Sequence, residues 1–136
     1  MTDAFYVPDG DGYVASTHTR GPWSSEHQHG GPPAALIAHL VQAMAPELNI
    51  ARITVDFLRP VPIDRVSVRV EPLRAGAKVQ RFVATLLHGD TAVARATLAL
   101  VRPTGVDVPT AREDVPLPTP ARSAPFQFPF FREPLG

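Results

Sequence analysis

The sequence predicts an α+β domain in which an antiparallel sheet wraps around one long, buried central helix. Three observations lead to this fold class. Residues 33–44 are almost wholly apolar, four later segments alternate apolar and polar residues, and the last of these carries small residues on one face. The chain has 136 residues, 44% of them hydrophobic, which is enough for a single domain with a sizeable apolar core.

The helix is predicted over Pro33–Met44, with the sequence PAALIAHLVQAM. Proline suits the first turn of a helix, where its missing N–H would have no partner, and Pro46 stops the helix just beyond its end. Only His39 and Gln42 are polar within it. The helix is therefore expected to be buried on most of its sides, with His39 as a hydrogen-bonded core side chain.

Five strands are predicted around this helix. A short strand follows a glycine-rich turn, and the next four are long and separated by turn signals, with Gly89-Asp90 as the tightest hairpin. In the last strand, alternating alanines share one face and leave room for the helix to lie against the sheet. The predicted strands are Gly12–Ala15, Ile53–Phe57, Val66–Glu71, Lys78–His88 and Thr91–Val101, and the alanines are Ala92, Ala94 and Ala96.

Proline divides the chain into two regions. Eight of the 16 prolines fall between Pro103 and Pro134, where they remove the donors that strands and helix interiors need. We therefore predict a domain over residues 1–102 and a proline-rich linker or tail over residues 103–136. The end of this tail is unusually aromatic, which favours an anchor on a surface or the start of a further strand; its phenylalanines are Phe126, Phe128, Phe130 and Phe131.

Composition argues against several classes of function. Thirteen basic and 13 acidic side chains cancel, so no global charge attracts nucleic acid or an anionic membrane. The absence of cysteine excludes disulfides and thiolate chemistry, and His27 and His29 have no evident third and fourth partners for a metal site. An acidic, turn-rich start and the lack of an apolar stretch long enough for a bilayer predict a cytoplasmic protein.

Several short stretches, in their order along the chain, resemble the N-terminal hotdog domain of acyl-CoA thioesterase II-like proteins and their actinobacterial relatives. The resemblance covers about residues 12–102. The stretches that carry it are His29-Gly30-Gly31 directly before the helix, Thr54–Pro60 (TVDFLRP), Val70–Arg74 (VEPLR) and Val93–Thr97 (VARAT).

This resemblance implies a hotdog fold and an acyl-CoA substrate, with no cofactor beyond the CoA part of that substrate. It also implies a partner, because members of the family carry two hotdog repeats whose sheets join. The partner is then a second copy of the chain, in a homodimer, or a second hotdog repeat. The catalytic Asp, Thr and Gln of the best-known members lie mainly in the second repeat. Here the place of the aspartate falls on Arg52 and that of the glutamine near Thr97 or Leu98, so these side chains do not carry over.

The candidate catalytic residues surround the start of the helix. Free N–H groups and the helix dipole make a helix start attractive to a developing oxyanion, and Gly30 and Gly31 would let a thioester carbonyl approach closely. Glu26 and His29 are placed to activate water, and Asp56 is a further acidic candidate. The structural alternatives are a tight turn for the glycines, loop hydrogen bonds for His29 and a solvated or Arg59-paired Asp56.

Candidate CoA-binding residues lie near strand ends. Phosphate groups need arginine or lysine, which the chain supplies near the ends of its strands, although such residues are also ordinary solvated charges. Trp23 is a candidate for an acyl pocket or a loop anchor. The basic candidates are Arg59, Arg74, Lys78 and Arg81.

Two classes of function follow. The first is an enzyme that hydrolyses acyl-CoA thioesters to free acid and CoA, with a hotdog hydratase or dehydratase as its enzymatic rival. The second is a non-catalytic half of a double-hotdog protein that binds acyl-CoA or completes the fold. The absence of the family's aspartate at Arg52 favours the second class for an isolated domain.

Overall fold

The computed structural model describes residues 3–107, 109 and 124. In these residues one α-helix lies against a six-stranded sheet in which every pairing is antiparallel. The elements are β1 (Tyr6–Asp9), β2 (Gly12–Ala15), a single 3₁₀ turn (Thr17–Thr19), α1 (Gly31–Met44), β3 (Asn49–Phe57), β4 (Arg65–Ala75), β5 (Val79–His88) and β6 (Thr91–Val101). Their order across the sheet is β1-β2-β4-β5-β6-β3. The expected α+β architecture, a central helix against an antiparallel sheet, is confirmed.

Helix α1 begins two residues earlier than predicted and ends where predicted, before Pro46. Its first turn contains two prolines, whose missing N–H groups cost nothing at that position. One face is buried through Pro33, Leu36, Ile37 and Val41. The opposite face, which includes His39, is exposed, so the expectation of a helix buried on most sides with a core histidine is wrong for that face. Alanine is small enough that it costs little on either a buried or an exposed face of a helix. The alanine-rich composition of α1 therefore did not reveal which of its faces is exposed.

The core lies between α1 and the central strands. Ala84 of β5 and Ala94 and Ala96 of β6 are fully buried and form a flat floor under the helix, as the small residues of β6 predicted. Ala92 is different, because a register shift between Leu86 and Leu87 takes it out of this alternation and leaves it only partly buried. Larger side chains complete the core on both sides of the floor: Phe82, Leu86, Leu98 and Leu100.

Two strands depart from the predictions. Strand β1 was not predicted, since four residues interrupted by Pro8 give no readable alternation. Strand β4 continues through Pro72 to Ala75, although Pro72 was expected to end it. A bulge between Pro72 and Arg74 explains this, because at a bulge a residue without an N–H does not interrupt the ladder.

The two edges of the sheet differ in a way that matters for assembly. Strand β1 is four residues long and contains Pro8, two features that discourage pairing with another chain. Strand β3 has nine residues and no proline, and most of its side chains are exposed. Its large apolar residues include Ile53, 36% exposed, and Phe57, 48% exposed. β3 is therefore the more open of the two edges.

The buried face of α1 gives a first prediction. Ile37 is fully buried against the sheet, and removing its side chain to leave Ala should lower the free energy of unfolding by about 2–5 kcal/mol. Met44 is the matched control because it lies on the same helix and is 53% exposed. We expect Met44→Ala to change stability by no more than about 0.5 kcal/mol. Urea unfolding followed by circular dichroism measures both; equal losses in the two variants would contradict this placement of the core.

Helix α1 has 14 residues, and within the described part of the chain no helix has the length and apolarity that crossing a bilayer requires. Most of the predicted tail over residues 103–136 lies outside the described residues, and so do its four phenylalanines.

Candidate active site

The loop between β2 and α1 is held against the segment that follows β3. The amide of Gln28 donates to the carbonyl of Val61 at 2.8 Å, and its side-chain Nε2 donates to the carbonyl of Pro62 at 2.7 Å. The amide of Ile63 donates to the carbonyl of Glu26 at 2.8 Å. These hydrogen bonds hold in place the backbone of the loop that leads into α1.

The two glycines at the start of the helix have different surroundings. A Cβ at Gly30 would lie 3.2 Å from the ring of Phe57, closer than most real Cβ contacts, so close packing explains this glycine. A Cβ at Gly31 would meet only the ring of His29, at an ordinary 3.4 Å. Neither glycine has a positive φ. A Cβ therefore has space at Gly31, and packing does not account for its absence.

Few backbone donors remain at the start of α1. Pro32 and Pro33 have no N–H, and the N–H of Gly31 donates to Nδ1 of His29 at 3.2 Å. The amide of Ala34 already donates to the carbonyl of Gly30 at 3.3 Å. The N–H of Gly30 has no hydrogen-bond partner among residues 3–107 and is the available donor. Because Nδ1 of His29 accepts a hydrogen bond, the neutral ring carries its proton on Nε2.

Two cavities of similar size meet at this pair of glycines. The first, here called the hairpin cavity, has a volume of about 550 Å³ and lies between the β1–β2 hairpin and α1. The second, here called the loop cavity, has a volume of about 560 Å³ and lies between the loop before α1 and the end of β3. Gly31 lines the first and Gly30 the second.

A partly buried hydrogen bond lies between the residues that line the two cavities. Tyr6, which lines the hairpin cavity, donates its hydroxyl to Oε1 of Gln28, which lines the loop cavity. Burial raises the pKa of the Tyr6 phenol well above its usual range, so this group stays protonated and uncharged. The bond joins β1 to the loop before α1 across 22 residues of sequence.

The predicted acid–base residues lie at different distances from the glycines. His29 contacts Gly31 through the hydrogen bond to its amide. Glu26 is exposed in the same loop and lines neither cavity. Asp56 is exposed on the outer face of β3, opposite Arg95 of β6, and also lines neither cavity. Of the three, His29 is the one that the structure brings to the start of the helix.

The predicted CoA-binding residues are not brought together. Arg59 lines the loop cavity, and its amide donates to the carbonyl of Val93. Arg74 and Arg81 face each other across β4 and β5, next to Ala99 of β6. Lys78 precedes β5 at the same end of the sheet. Ala99 and Val93 are six positions apart on β6, which is roughly 20 Å along a strand. Arg59 is therefore the one basic candidate beside the glycines.

The β1–β2 hairpin is attached to β4 by ion pairs. Arg65 donates through Nε to Asp9 at 2.9 Å and through a terminal nitrogen to Asp11. The hydrogen bond from the Arg65 guanidinium, followed by its positive charge, holds the pKa of Asp11 below its usual value. One wall of the hairpin cavity thus depends on a carboxylate–arginine contact.

This contact gives a prediction for pH. A carboxylate whose pKa is lower in the folded state stabilises the fold at pH values above its unfolded pKa, and that contribution is lost as the pH falls through the folded pKa. Amide hydrogen exchange in β2 should therefore speed up, relative to β5, as the pH falls from about 7 to about 3, after correction for the intrinsic pH dependence of exchange. Arg65→Gln should flatten this dependence, whereas Arg95→Gln should not, because Arg95 makes no ion pair within the described residues. An unchanged profile in Arg65→Gln would contradict the role of this contact.

The comparisons with known proteins identify the family of the domain. Residues 19–101 match the sequence profile of the acyl-CoA thioesterase N-terminal domain, which is more than half of the chain. The chain belongs to this family. No curated protein matches its sequence significantly.

Solved structures show the same fold. A protein of unknown function with a hot dog fold from Alicyclobacillus acidocaldarius aligns with a TM-score of 0.69 and 22% identity over 91% of this chain and 47% of that protein. The tesB protein of Mycobacterium avium subspecies paratuberculosis aligns with a TM-score of 0.64 and 18% identity over 85% and 46%. A phenylacetic acid degradation-related protein from Ralstonia eutropha is 26% identical, with a TM-score of 0.58 over 66% and 72%.

These matches confirm the expected hotdog fold, and the chain spans a little less than half of the two longer proteins. Within this acyl-CoA thioesterase domain, the positions where catalytic side chains were sought by resemblance lie away from both cavities. Arg52 and Thr97 lie on the outer face of the sheet and Leu98 in the core.

Sequence reasoning missed three residues that line the cavities. Tyr6 and Gln28 are far apart in the chain, and only the topology brings them together. His39 was expected in the core, but it lines the hairpin cavity. Trp23, a candidate for an acyl pocket or a loop anchor, lines the loop cavity and is 73% exposed. In the described residues, no group of three or more His, Asp or Glu side chains is arranged to hold a metal ion.

Proposed function

We propose that the chain hydrolyses acyl-CoA thioesters at the pair of glycines that starts α1, together with a second hotdog repeat or a second copy of itself. The observation that carries the proposal is the position of these glycines. They lie between two cavities, next to the end of the open edge strand β3, in a member of the acyl-CoA thioesterase N-terminal domain family.

The thioester carbonyl is placed at the backbone of Gly30 and Gly31. The N–H of Gly30 is the available donor, and the partial positive charge of the helix start favours a developing oxyanion. The N–H of Gly31 becomes a second donor if the carbonyl oxygen replaces Nδ1 of His29 as its acceptor. Because Gly31 has no side chain, the substrate can approach this amide closely.

His29 is proposed to position the reacting groups. Glu26, three residues earlier in the same loop, lines neither cavity and is assigned no part in this proposal. Nδ1 of His29 is occupied by the Gly31 amide, so the ring acts first by holding that amide in place. Asp56 takes no part in this proposal, because it lies on the outer face of the sheet. We expect His29→Ala to lower the maximal rate by about 10²-fold and Asp56→Asn to change it less than about twofold.

Arg59 is proposed to hold a CoA phosphate. It is exposed, lines the loop cavity with Gly30, and makes no ion pair within the described residues. Arg74, Lys78 and Arg81 are too far from this cavity to hold the same phosphate group as Arg59.

The second repeat or second copy is proposed to join at β3. Its nine-residue edge leaves hydrogen-bonding groups unpaired within the described chain, and its end lines the loop cavity beside the glycines. A strand added there would bring new side chains to that cavity. This arrangement supplies acid–base groups that the described chain does not place beside Gly30.

The alternative function is that of a non-catalytic half of a double-hotdog protein, which binds acyl-CoA without hydrolysing it. The shortage of donors at the helix start favours this alternative, since two prolines have none and His29 accepts the bond from Gly31. Such a domain would still bind acyl-CoA in the two cavities.

Release of free CoA from a panel of saturated acyl-CoAs tests the proposal. The chain has no cysteine, so a thiol-reactive dye reports only the CoA that is released. Release that His29→Ala slows and Asp56→Asn does not would support hydrolysis at this site. Binding without release would support the non-catalytic half, and hydration of enoyl-CoA without release would instead indicate the hydratase rival.

A further inference from the structure

The two cavities at the glycines have similar volumes but different chemistry. The loop cavity is lined by Ser24, His27, Gln28 and Arg59 together with apolar residues. The hairpin cavity has no lysine, arginine, aspartate or glutamate in its lining. It is formed mainly by aromatic rings, prolines and small aliphatic side chains: Phe5, Tyr6, Pro8, Tyr13, Pro32, Ala35 and Leu36.

We propose that the hairpin cavity binds the hydrocarbon chain of the acyl group, while the loop cavity receives the CoA arm. The inference rests on the proposed function, because it takes the thioester carbonyl to lie at the glycines between the two cavities. The hairpin cavity has a volume of about 550 Å³, which falls within the range of roughly 300–1,000 Å³ that is typical of small-ligand sites.

The lining of the hairpin cavity selects against charged acyl groups. A terminal carboxylate would find no cationic partner in it, apart from a protonated His39 at the exposed helix face. The Tyr6 hydroxyl already donates to Gln28, so it is not available to such a group. An ion without a partner is costly in an apolar site. Hydrocarbon acyl groups are therefore preferred over dicarboxylic acyl groups of the same length.

The wall formed by β1 is held firmly enough to define a pocket. Ser16 donates its amide to the carbonyl of Phe5 at 2.9 Å and its hydroxyl to the carbonyl of Ala4 at 2.6 Å. Tyr6 is bonded to Gln28, and Arg65 ties the tip of the hairpin to β4. These contacts hold the hairpin in its place beside α1.

Ala35 is the residue through which this assignment is best tested. It lies on the exposed face of α1 and lines the hairpin cavity, so Ala35→Phe fills the cavity without entering the core. Ala43 is the matched control, since it is exposed on the same helix two turns later and does not line the hairpin cavity. Ala35→Leu serves as a milder variant if Ala35→Phe is poorly folded.

Binding is measured by calorimetry with CoA, S-octyl-CoA and S-(7-carboxyheptyl)-CoA, thioethers that cannot be hydrolysed. Several buried methylene groups should make S-octyl-CoA bind at least about tenfold more tightly than CoA, and the carboxylated analogue should lose this advantage. Ala35→Phe, or Ala35→Leu, should remove most of the advantage while leaving CoA binding unchanged, and Ala43→Leu should keep it. No advantage of S-octyl-CoA in the parent chain, or equal losses in the variants at the two alanines, would overturn the assignment.

The same experiment separates this inference from the proposed function. If S-octyl-CoA shows the expected pattern but no acyl-CoA releases CoA, the cavity assignment stands and hydrolysis fails. If CoA is released but its dependence on chain length is the same in Ala35→Phe and the parent, the assignment fails and hydrolysis stands.

Discussion

Replacing Gly31 by valine is expected to lower thioester turnover by on the order of 10²–10³-fold while leaving the domain folded. A side chain at this position meets only the ring of His29 at an ordinary distance, and the backbone there does not need a positive φ. The Cβ therefore has space, and the cost to the fold is that of a β-branched residue placed before Pro32 in the first turn of the helix. It places a branched side chain where the thioester carbonyl must approach the amides of Gly30 and Gly31.

The measurement is kcat/KM for CoA release, set beside the urea midpoint of each variant. Ala43→Val is the control for adding a branched residue to the exposed face of the same helix. Gly30→Ala should behave differently, with a loss of stability, because its Cβ would press on the ring of Phe57 at 3.2 Å. If Gly31→Val kept the turnover of the parent chain, the carbonyl would not bind at this amide.

The elements that sequence predicted well are those with long and regular patterns. Strand β6 was predicted with the observed ends, since its alternation is unbroken and Gly89-Asp90 marks its start. The observed φ of +56° at Gly89 is the left-handed conformation that such a hairpin turn requires. By contrast, β1 is short and contains Pro8, and neither its existence nor its place in the cavity wall can be read from four residues.

The candidate site was predicted only where it is local in sequence. His29, Gly30 and Gly31 are adjacent in the chain, and their relation to the helix start follows from their position. The wall between the cavities joins Tyr6 to Gln28, a contact that exists only because β1 folds back beside the loop. No local pattern reports such a contact.

The basic residues show that side chains expected to lie together can be far apart in the fold. Arg59, Arg74 and Arg81 all lie near strand ends, and the sequence suggested one phosphate-binding cluster. Antiparallel strands reverse direction at each turn, so consecutive strand ends alternate between opposite edges of the fold. Arg59 follows β3 at one end, while Arg74 and Arg81 flank the β4–β5 turn at the other. Topology, which the strand pattern alone does not give, separates them.

A second large effect is expected at the open edge of β3. The amide of Leu58 donates to the carbonyl of Val93, toward β6. Backbone groups alternate in direction along an antiparallel strand, so the amides of Ile53 and Val55 point to the open edge. If the chain forms a dimer through β3, Ile53→Pro removes one edge donor in each copy and places a proline ring in the path of the partner strand.

Ile53→Pro is therefore expected to weaken dimerisation at least about tenfold, because one lost hydrogen bond and a steric conflict in each copy together exceed the roughly 1.4 kcal/mol that this factor represents. Ile53→Ala is the matched control, since it removes the same side chain but keeps the amide and should weaken the dimer much less. Sedimentation equilibrium over a range of concentrations measures all three proteins, and CoA release should fall in step with the fraction of dimer. A parent chain that stays monomeric at micromolar concentration would exclude self-pairing and leave a second hotdog repeat as the partner of this edge. Equal dissociation constants for the parent and Ile53→Pro would place the interface elsewhere on the domain.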